Sequence, residues 1–334
     1  MEDGVLAVDH HGSVLLANQA LQDSLELREP VGRHYLEVVR QREVGELLEG
    51  VLRAGARRAD EVEMLRGGRA YAVTGVPFPG PEGQPSGAVL TFHDVTERHR
   101  VERVRRDFVA NASHELRTPL TSIRGFVEAL EDGAMSEPGT AHRFLGKIRT
   151  HADRMASLVS DLLELSRLES GERAPSWQTV APGEVAEEVA ASFAGAAERK
   201  GLSLRRSDRG APTVVSDADR LRQILENLVE NAVKYTPAGG RIDITSGPAS
   251  AGGAELVVAD DGPGISAEHL PRIFERFYRV DKARSREMGG TGLGLSIVKH
   301  LAEGMGAVVT VESHPGRGTT FTVRLPPGQE RRPG

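Results

Sequence analysis

Residues 108–126 read FVANASHELRTPLTSIRGF and place a histidine, a carboxylate and a hydroxyl on one stretch of predicted helix. His114 is followed directly by Glu115 and, four residues on, by Thr118. Residues four apart share a helix face, so His114 and Thr118 are predicted to lie side by side. Pro119 lacks a backbone N–H and is predicted to bend the helix just after this group. The stretch alone leaves four roles open for His114: general base, metal ligand, core residue, or a group that is itself modified.

Apolar residues recur at alternating intervals of three and four around the histidine, a spacing typical of packed helices. A second run, from Phe144 to Leu165, is separated from the first by a break at 131–139. Two amphipathic helices with a short connection predict an antiparallel hairpin over 96–170. One hairpin has only a narrow apolar seam, so we expect two copies to pair as a homodimeric four-helix bundle. His151 falls on the seam and is interpreted as a structural residue.

The regions on either side of the hairpin have different patterns. Residues 1–95 contain two short apolar runs around a turn, a helical stretch at 35–54 and three further strand-like runs. This order predicts one antiparallel sheet with helices on one side. Residues 171–326 begin with a polar linker and then alternate helices and short strands, which predicts a two-layer α/β sandwich with a mixed sheet. The fold class is therefore multidomain α+β, and the tail at 327–334 is predicted to be disordered.

Composition narrows the function classes. The net charge of −6 disfavours a nucleic-acid-binding protein, and the absence of cysteine excludes disulfides, thiol catalysis and thiolate metal sites. The sequence has no apolar run of 18 or more residues and no basic leader, so we expect a cytoplasmic chain without a membrane span. It would be membrane-associated if a longer protein carried a transmembrane segment upstream.

Two stretches of the C-terminal region carry the side chains of a candidate nucleotide site. LENLVENAVKYTP places Asn227 and Asn231 on one helix face, where amide oxygens suit a hard cation such as Mg²⁺. Lys234 follows one turn later and is placed to meet a phosphate. A solvated polar face is the alternative interpretation of the two asparagines. VVADDGPGIS places Asp260 and Asp261 at a strand end, where either carboxylate could accept a hydrogen bond from an adenine amino group.

A glycine-rich stretch, MGGTGLGLSIVKHL (288–301), opens an apolar helix. Backbone N–H groups at a helix N-terminus bind phosphates where glycines allow close approach. No GK[ST] follows and no βαβ unit surrounds the stretch, so it is neither a Walker motif nor a Rossmann fingerprint. The charged segment 272–290 predicts a mobile lid over a bound nucleotide. Phe274 and Phe277 are predicted to pin this lid, with plain packing as the alternative.

Taken together, these stretches resemble the sensor histidine kinases of two-component systems. ASHELRTPL is similar to the H box of that family, NLVENAVKYT to the N box, DDGPGI to the G1 box, FERFYR to the F box and GTGLGLSI to the G2 box. All five occur in the family's order within 98–326. The resemblance implies a dimerisation and histidine-phosphotransfer hairpin followed by an ATP-binding domain of the Bergerat type. Residues 1–95 resemble a PAS domain, and the whole arrangement is similar to phosphate-sensing kinases.

The resemblance also implies a role for each matching residue. Lys234 and Arg279 are expected to face the phosphates of ATP. Tyr235 is expected to lie against the base, and Asp260 to read the adenine amino group. The expected Mg²⁺ ligands are Asn231 and, close to the ion, Asn227. The residues expected to shape the pocket and lid are Gly262, Gly264, Gly290, Thr291, Gly292, Leu293 and Gly294.

His114 is then expected to attack the γ-phosphate of ATP and to carry the phosphoryl group. A neutral imidazole is nucleophilic near pH 7, because its unperturbed pKa is about 6.5. Glu115 is placed to accept or orient the proton on the other ring nitrogen. The expected acceptor is an aspartate in the receiver domain of a response regulator. HELRT also matches the family pattern in which Thr118 positions a water that dephosphorylates this regulator.

Two other function classes are alternatives. A chaperone- or topoisomerase-type ATPase would share the ATP-binding fold, but it needs a glutamate where this chain has Asn227. A non-enzymatic ligand sensor or scaffold would have degenerate kinase motifs, whereas all five motifs are intact here. The sequence specifies neither the ligand of the N-terminal region nor the partner regulator.

Overall fold

The computed structural model describes residues 3–64, 68–80, 85–170, 174–281 and 290–327. The chain divides into two compact units, Met1–Ala110 and Asn111–Gly334. The predicted disordered tail lies outside the described residues except for Pro327. The central part of the predicted lid, residues 282–289, also lies outside them.

The first unit contains a five-stranded antiparallel sheet with the strand order β2-β1-β5-β4-β3. Its strands are β1 (Gly4–Asp9), β2 (Val14–Ala17), β3 (Arg58–Glu63), β4 (Ala70–Pro79) and β5 (Pro85–Asp94). The helices between β2 and β3 are α1 (Gln19–Leu25), α2 (Tyr35–Val38) and α3 (Arg42–Ala54). Leu6, Leu90 and Val51 are fully buried where the sheet and α3 share one core. The predicted antiparallel sheet with helices is confirmed, but α1 was not predicted because only Leu21 of this short helix is buried.

A long helical hairpin follows, as predicted. It consists of α4 (Thr96–Glu131) and α5 (Pro138–Ser170), joined by a short turn that includes Ala134–Ser136. Pro119 lies inside α4, and the helix continues past it to Glu131. Leu130, Leu158 and Leu165 are buried. The large apolar side chains of the hairpin from residue 111 onward that are exposed in the single chain are Leu120, Val127, Met135, Leu145, Val159 and Leu163.

The C-terminal region is an α/β sandwich, which confirms the predicted fold. Its main sheet has the order β11-β12-β10-β9-β7, with β7 parallel to β9 and the other pairs antiparallel. The strands are β7 (Ser203–Asp208), β9 (Arg241–Pro248), β10 (Ala254–Asp260), β11 (Val308–His314) and β12 (Gly318–Leu325). The helices are α6 (Pro182–Arg199), α7 (Ala218–Tyr235) and α8 (Gly294–Gly304). A separate two-stranded ribbon pairs β6 (Gln178–Val180) with β8 (Val214–Ser216).

Candidate active site

Helix α7 carries three of the predicted site residues on one face. Its N-cap is Asp217, whose Oδ1 accepts a backbone N–H of the first turn at 3.0 Å. The residues of α7 that are buried in the core are Arg220, Leu221, Ile224, Leu225, Leu228, Val229 and Ala232. Asn227, Asn231 and Lys234 are half-buried on another face. Nδ2 of Asn227 donates to the carbonyl oxygen of Gln223 at 3.0 Å, so the amide nitrogen is occupied and Oδ1 points away from that bond.

The ammonium group of Lys234 is partly desolvated. Burial is the main cause that lowers its pKa; the charge of Glu230 opposes this effect, and the charges of Arg279 and Arg154 add to it. Nζ of Lys234 lies 5.7 Å from the centre of the Tyr235 ring. A half-buried ammonium close to two guanidinium groups makes this end of α7 suitable for an anionic ligand.

The two aspartates at the end of β10 have different surroundings. Oδ1 of Asp260 accepts the N–H of Gly262 at 2.9 Å, and burial raises the pKa of the Asp260 carboxyl group. Asp261 is exposed, and its Oδ1 accepts the N–H of Arg241 at 2.7 Å. The Asp261 carboxylate is therefore bound to the start of β9, whereas Asp260 is the half-buried member of the pair.

Thr236 directly follows α7 and is absent from the predicted site. Its Oγ1 is buried and has no hydrogen-bond partner in the described part of the chain. A Cβ placed on Gly262 would lie 3.5 Å from this hydroxyl oxygen and 2.7 Å from Oδ1 of Asp260. A buried hydroxyl without a partner needs an explanation, and a ligand beside Asp260 would supply one. The sequence signal was present, because Thr236 ends the same NLVENAVKYT stretch.

The segment 290–294 lies beside α7 and leads into α8. A Cβ on Gly294 would lie 2.7 Å from Oδ1 of Asn227, so the absence of a side chain allows this close approach. The carbonyl oxygen of Gly292 accepts the N–H of Phe277 at 2.8 Å, which ties together the two flanks of the predicted lid. The Leu293 side chain is fully buried, so it packs in the core. The half-buried residues of this segment include Gly290 and Thr291.

The two phenylalanines predicted to pin the lid have different environments. Phe274 packs edge-to-face against Phe321 of β12, with ring centres 6.5 Å apart. Phe277 has φ 63°, a left-handed conformation that costs a non-glycine residue about 1–2 kcal/mol.

Gly264, which follows β10, has φ 70°, and a Cβ there would overlap the carbonyl oxygen of His314.

The helical hairpin brings the predicted phosphoacceptor region to this site. Oε2 of Glu115 accepts hydrogen bonds from Nη2 of Arg279 at 3.0 Å and from Nη2 of Arg154 at 3.1 Å. The three side chains are only 5–13% exposed. His114 is exposed, and Oγ1 of Thr118 donates to the carbonyl oxygen of His114 at 3.2 Å. The residue next to His114 is thus in contact with Arg279, which was predicted to face phosphates.

Helix α5 makes two further contacts with the same region. Burial raises the pKa of Asp161, a hydrogen bond from the Thr291 hydroxyl opposes this rise, and nearby Glu230 adds to it. Arg276 pairs with Glu169 at 2.6 Å. The charged residues of α5 were not predicted as site residues, because a charged side chain between apolar heptad positions is usually a solvated one.

Three family profiles match the chain. The profile for histidine kinase-, DNA gyrase B- and HSP90-like ATPases matches residues 216–329, the His Kinase A phospho-acceptor domain matches 104–171, and the PAS fold matches 1–100. The sensor histidine kinase WalK of Bacillus subtilis is 33% identical over 347 residues, covering 99% of this chain and 54% of WalK. The sensor-like histidine kinase SenX3 of Mycolicibacterium smegmatis is 41% identical over 239 residues, covering 72% of this chain and 62% of SenX3.

The chain belongs to the sensor histidine kinase family. Among solved structures, the histidine kinase ThkA in complex with the response regulator protein TrrA matches with a TM-score of 0.57 and 24% identity, over 98% of this chain and 97% of that one. Full-length ShkA in complex with AMPPNP matches with a TM-score of 0.50 and 33% identity, over 66% of this chain and 45% of that one.

This histidine kinase chain spans between half and two thirds of the length of WalK and SenX3. Across its described residues, none of the helices combines the length and the apolar character that crossing a membrane requires. The three matched domains follow the order predicted from the sequence motifs: PAS, phosphoacceptor hairpin, ATP-binding region.

Proposed function

We propose that this chain is an ATP-dependent protein-histidine kinase, which phosphorylates itself on His114 and passes the phosphoryl group to an aspartate of a response regulator. The observation that carries the proposal is the 3.0 Å contact between Glu115 and Arg279. It joins the neighbour of the candidate phosphoacceptor to a residue expected to face the phosphates of ATP. Signal input would come from a ligand of the N-terminal region or from an upstream sensor.

The proposed domains are a PAS-like sensor at 1–95, a dimerisation and phosphotransfer hairpin at 96–170 and a catalytic ATP-binding domain at 171–326. We propose that two copies pair through the exposed apolar residues of the hairpin, including Leu120 and Val127. Burying such residues in a four-helix bundle would remove them from water. Because ATP is the phosphoryl donor, we expect the reaction in the cytoplasm.

In the proposed ATP complex, Asp260 accepts a hydrogen bond from the adenine amino group and Tyr235 lies against the base. The choice of Asp260 over Asp261 rests on the bond between the Asp261 carboxylate and the Arg241 backbone. The hydroxyl of Thr236, which has no hydrogen-bond partner among the described residues, lies at the same end of the pocket. Lys234 and Arg279 bind the phosphates. The pocket-shaping residues are Gly262, Gly264, Gly290, Thr291, Gly292, Leu293 and Gly294.

The residues at the phosphate end fit a magnesium ion. Nδ2 of Asn227 donates a hydrogen bond to a backbone carbonyl oxygen of α7, and Oδ1 of the same side chain faces Gly294. Asn231 lies one turn along the same face, and amide oxygens are neutral ligands of the kind that Mg²⁺ accepts. We propose Asn231 as a ligand, with Asn227 close to the ion. When bound, Mg²⁺ would offset part of the phosphate charge.

In the proposed autokinase step, one ring nitrogen of His114 forms a bond to the γ-phosphorus of ATP. The bond between this phosphorus and the β,γ-bridging oxygen breaks, and ADP leaves. The proton on the other ring nitrogen passes to Glu115. Lys234 and Arg279 offset the charge on the transferring group.

In the second proposed step, the phosphohistidine reacts with an aspartate in the receiver domain of a response regulator. The relative ThkA was solved in complex with such a regulator protein, TrrA, which supports this class of partner. We also propose that Thr118 positions a water that dephosphorylates the regulator. Thr118→Ala is expected to keep autophosphorylation and to lose this phosphatase activity, measured as the decay of labelled regulator.

The proposal is tested by incubating the full chain with γ-labelled ATP and Mg²⁺. We expect acid-labile, base-stable label on the protein, lost in His114→Gln and retained in the control His142→Gln, which changes an exposed histidine of α5. Free phosphate without protein label would instead indicate an ATPase of the chaperone class. No turnover at all would indicate a sensor or scaffold without kinase activity.

A further inference from the structure

Arg154 has no part in the steps above, yet its guanidinium group binds the carboxylate beside His114. Arg154 and Arg279 each donate through Nη2 to the same oxygen of Glu115, at 3.1 and 3.0 Å. All three side chains are nearly buried. Hydrogen bonds between ionised groups are short and directional, so two of them on one oxygen hold the carboxylate in one orientation.

The two arginines belong to different parts of the chain. Arg154 and Glu115 lie on the two helices of one hairpin, so their pairing needs nothing from the ATP-binding region. Arg279 lies in the ATP-binding region and is proposed to bind phosphates. A phosphate group carries more negative charge than a carboxylate and competes with Glu115 for the Arg279 guanidinium.

The surroundings of Arg279 favour this competition. Burial is the largest influence on the pKa of Lys234 and lowers it, whereas the charge of Glu230 raises it. The charges of Arg279 and Arg154 come next, and both lower this pKa. The two guanidinium groups therefore act electrostatically on the Lys234 ammonium group. Nε of Arg279 is buried and has no hydrogen-bond partner within the described ranges. The contact with Glu115 therefore leaves one donor of the Arg279 guanidinium unsatisfied, while Arg154 remains as the hairpin's own partner for Glu115.

We infer that Arg154 is a positioning residue for phosphotransfer: it holds the Glu115 carboxylate beside His114 when Arg279 exchanges Glu115 for the phosphates of ATP. The inference rests on the proposed autokinase function. Arg154 acts through Glu115 and has no contact with ATP in this scheme. The opposing interpretation is that Arg154 only links two helices, although buried Leu158 and the Phe126–Phe144 contact, with ring centres 5.3 Å apart, already do so.

The test compares autophosphorylation by the full chain over a range of ATP concentrations. Because a positioned proton acceptor contributes a factor of 10²–10⁴, partial misplacement in Arg154→Gln is expected to lower the maximal rate by about tenfold or more. The KM for ATP is expected to stay within about twofold, whereas Arg279→Gln raises KM as well, since Arg279 is proposed to bind substrate. Arg154→Lys keeps the charge and restores part of the rate. The matched control is Arg124→Gln, which breaks an exposed ion pair on α4.

A double-mutant cycle separates positioning from a structural role. If Arg154 acts through Glu115, Arg154→Gln changes the rate by less than about twofold in a Glu115→Gln background. A full tenfold loss in that background would overturn the inference. So would an Arg154→Gln variant that alters only KM, or one with the wild-type maximal rate.

A chemical reaction tests the same contact without ATP. Phosphoramidate phosphorylates histidine as the reagent's P–N bond breaks, a new bond forms between phosphorus and the ring nitrogen, and ammonia leaves. We expect Glu115→Gln to slow labelling of His114 most, Arg154→Gln to slow it by a smaller factor, and Arg124→Gln to leave it unchanged. If ATP labels nothing but this slowing is seen, the kinase proposal fails and the role of Arg154 stands. An unchanged chemical rate in Arg154→Gln means that Arg154 does not position Glu115.

Discussion

Gly264 and Gly316 provide a matched pair of substitutions in the ATP-binding region. Their φ angles are 70° and 74°, and the N–H of Gly316 donates to the carbonyl oxygen of Pro263, so the two glycines lie in adjoining loops. A Cβ on Gly316 would meet no atom of the described residues within 4 Å. A Cβ on Gly264 would overlap the backbone carbonyl oxygen of His314. The two alanine variants therefore share the cost of a left-handed backbone conformation, but only Gly264→Ala adds a steric overlap with the backbone.

The shared term is the left-handed backbone, which costs an alanine about 1–2 kcal/mol. The overlap at Gly264 involves backbone, so no side-chain rotation relieves it, and a forced backbone shift costs about 1–3 kcal/mol more. Gly316→Ala should therefore lower the free energy of unfolding by about 1–2 kcal/mol and Gly264→Ala by about 2–5 kcal/mol. Gly264→Ala should also weaken ATP binding, because the shift occurs beside the proposed adenine contact.

The assay is urea unfolding followed by tryptophan fluorescence. Trp177 is the only tryptophan of the chain and directly precedes β6, so its signal reports on the ATP-binding region rather than on the PAS domain. ATP affinity is measured in parallel on both variants. Equal losses of unfolding free energy in Gly264→Ala and Gly316→Ala would refute the steric reasoning, since both variants would then carry only the backbone term.

Three further predictions concern other parts of the same unit. Burial raises the pKa of Asp161 above the ordinary value of 3.8, so its stabilising contribution is present below that pH and is lost as pH rises through the folded-state pKa. In Asp161→Asn the free energy of unfolding, measured in urea, should therefore fall less steeply with pH above about pH 4. An unchanged slope of this free energy against pH would contradict the prediction. Asp217→Ala removes the N-cap of α7 and the buried partner of Arg220, and it should lower the free energy of unfolding by about 3–5 kcal/mol. The control Arg222→Ala breaks an exposed ion pair and should lower it by less than about 1 kcal/mol. Val127→Glu places a charge on the exposed apolar face of α4 and should convert the proposed dimer to a monomer. Sedimentation equilibrium measures this change, and a stable dimer would show that the copies pair elsewhere.

The fold was largely predictable where periodicity and capping signals coincided. Helix α7 (Ala218–Tyr235) and strand β10 (Ala254–Asp260) lie in the region where the sequence predicts alternating helices and short strands. In α7 a capping aspartate precedes regularly spaced leucines and isoleucine, and in β10 apolar residues alternate. Helix α1 offered no such signal, because its side chains are mostly outside the core. Strand β6, of three residues, is too short for a period to be recognised.

Sequence motifs predict individual candidate site residues but not the contacts between them. Motifs picked out the neighbourhoods of His114, Asn227 and Asp260, because each motif is local. The contact between Glu115 and Arg279 joins positions 164 residues apart, and no local pattern encodes it. Arg154 was missed for the same reason: in sequence it is one of many arginines, and only the packed hairpin brings it to the carboxylate.

One oxygen of the Glu115 carboxylate, where the hairpin meets the ATP-binding region, accepts hydrogen bonds from two guanidinium groups. In the proposed mechanism, this shared oxygen would make the contact sensitive to whether ATP or ADP is bound. The γ-phosphate of ATP would compete with Glu115 for Arg279, whereas ADP lacks that group. Once the phosphoryl group has moved to His114 and Glu115 has lost the proton that it accepted, the Glu115 carboxylate would again bind Arg279. The residue pair that opens for the substrate would then close again as ADP leaves.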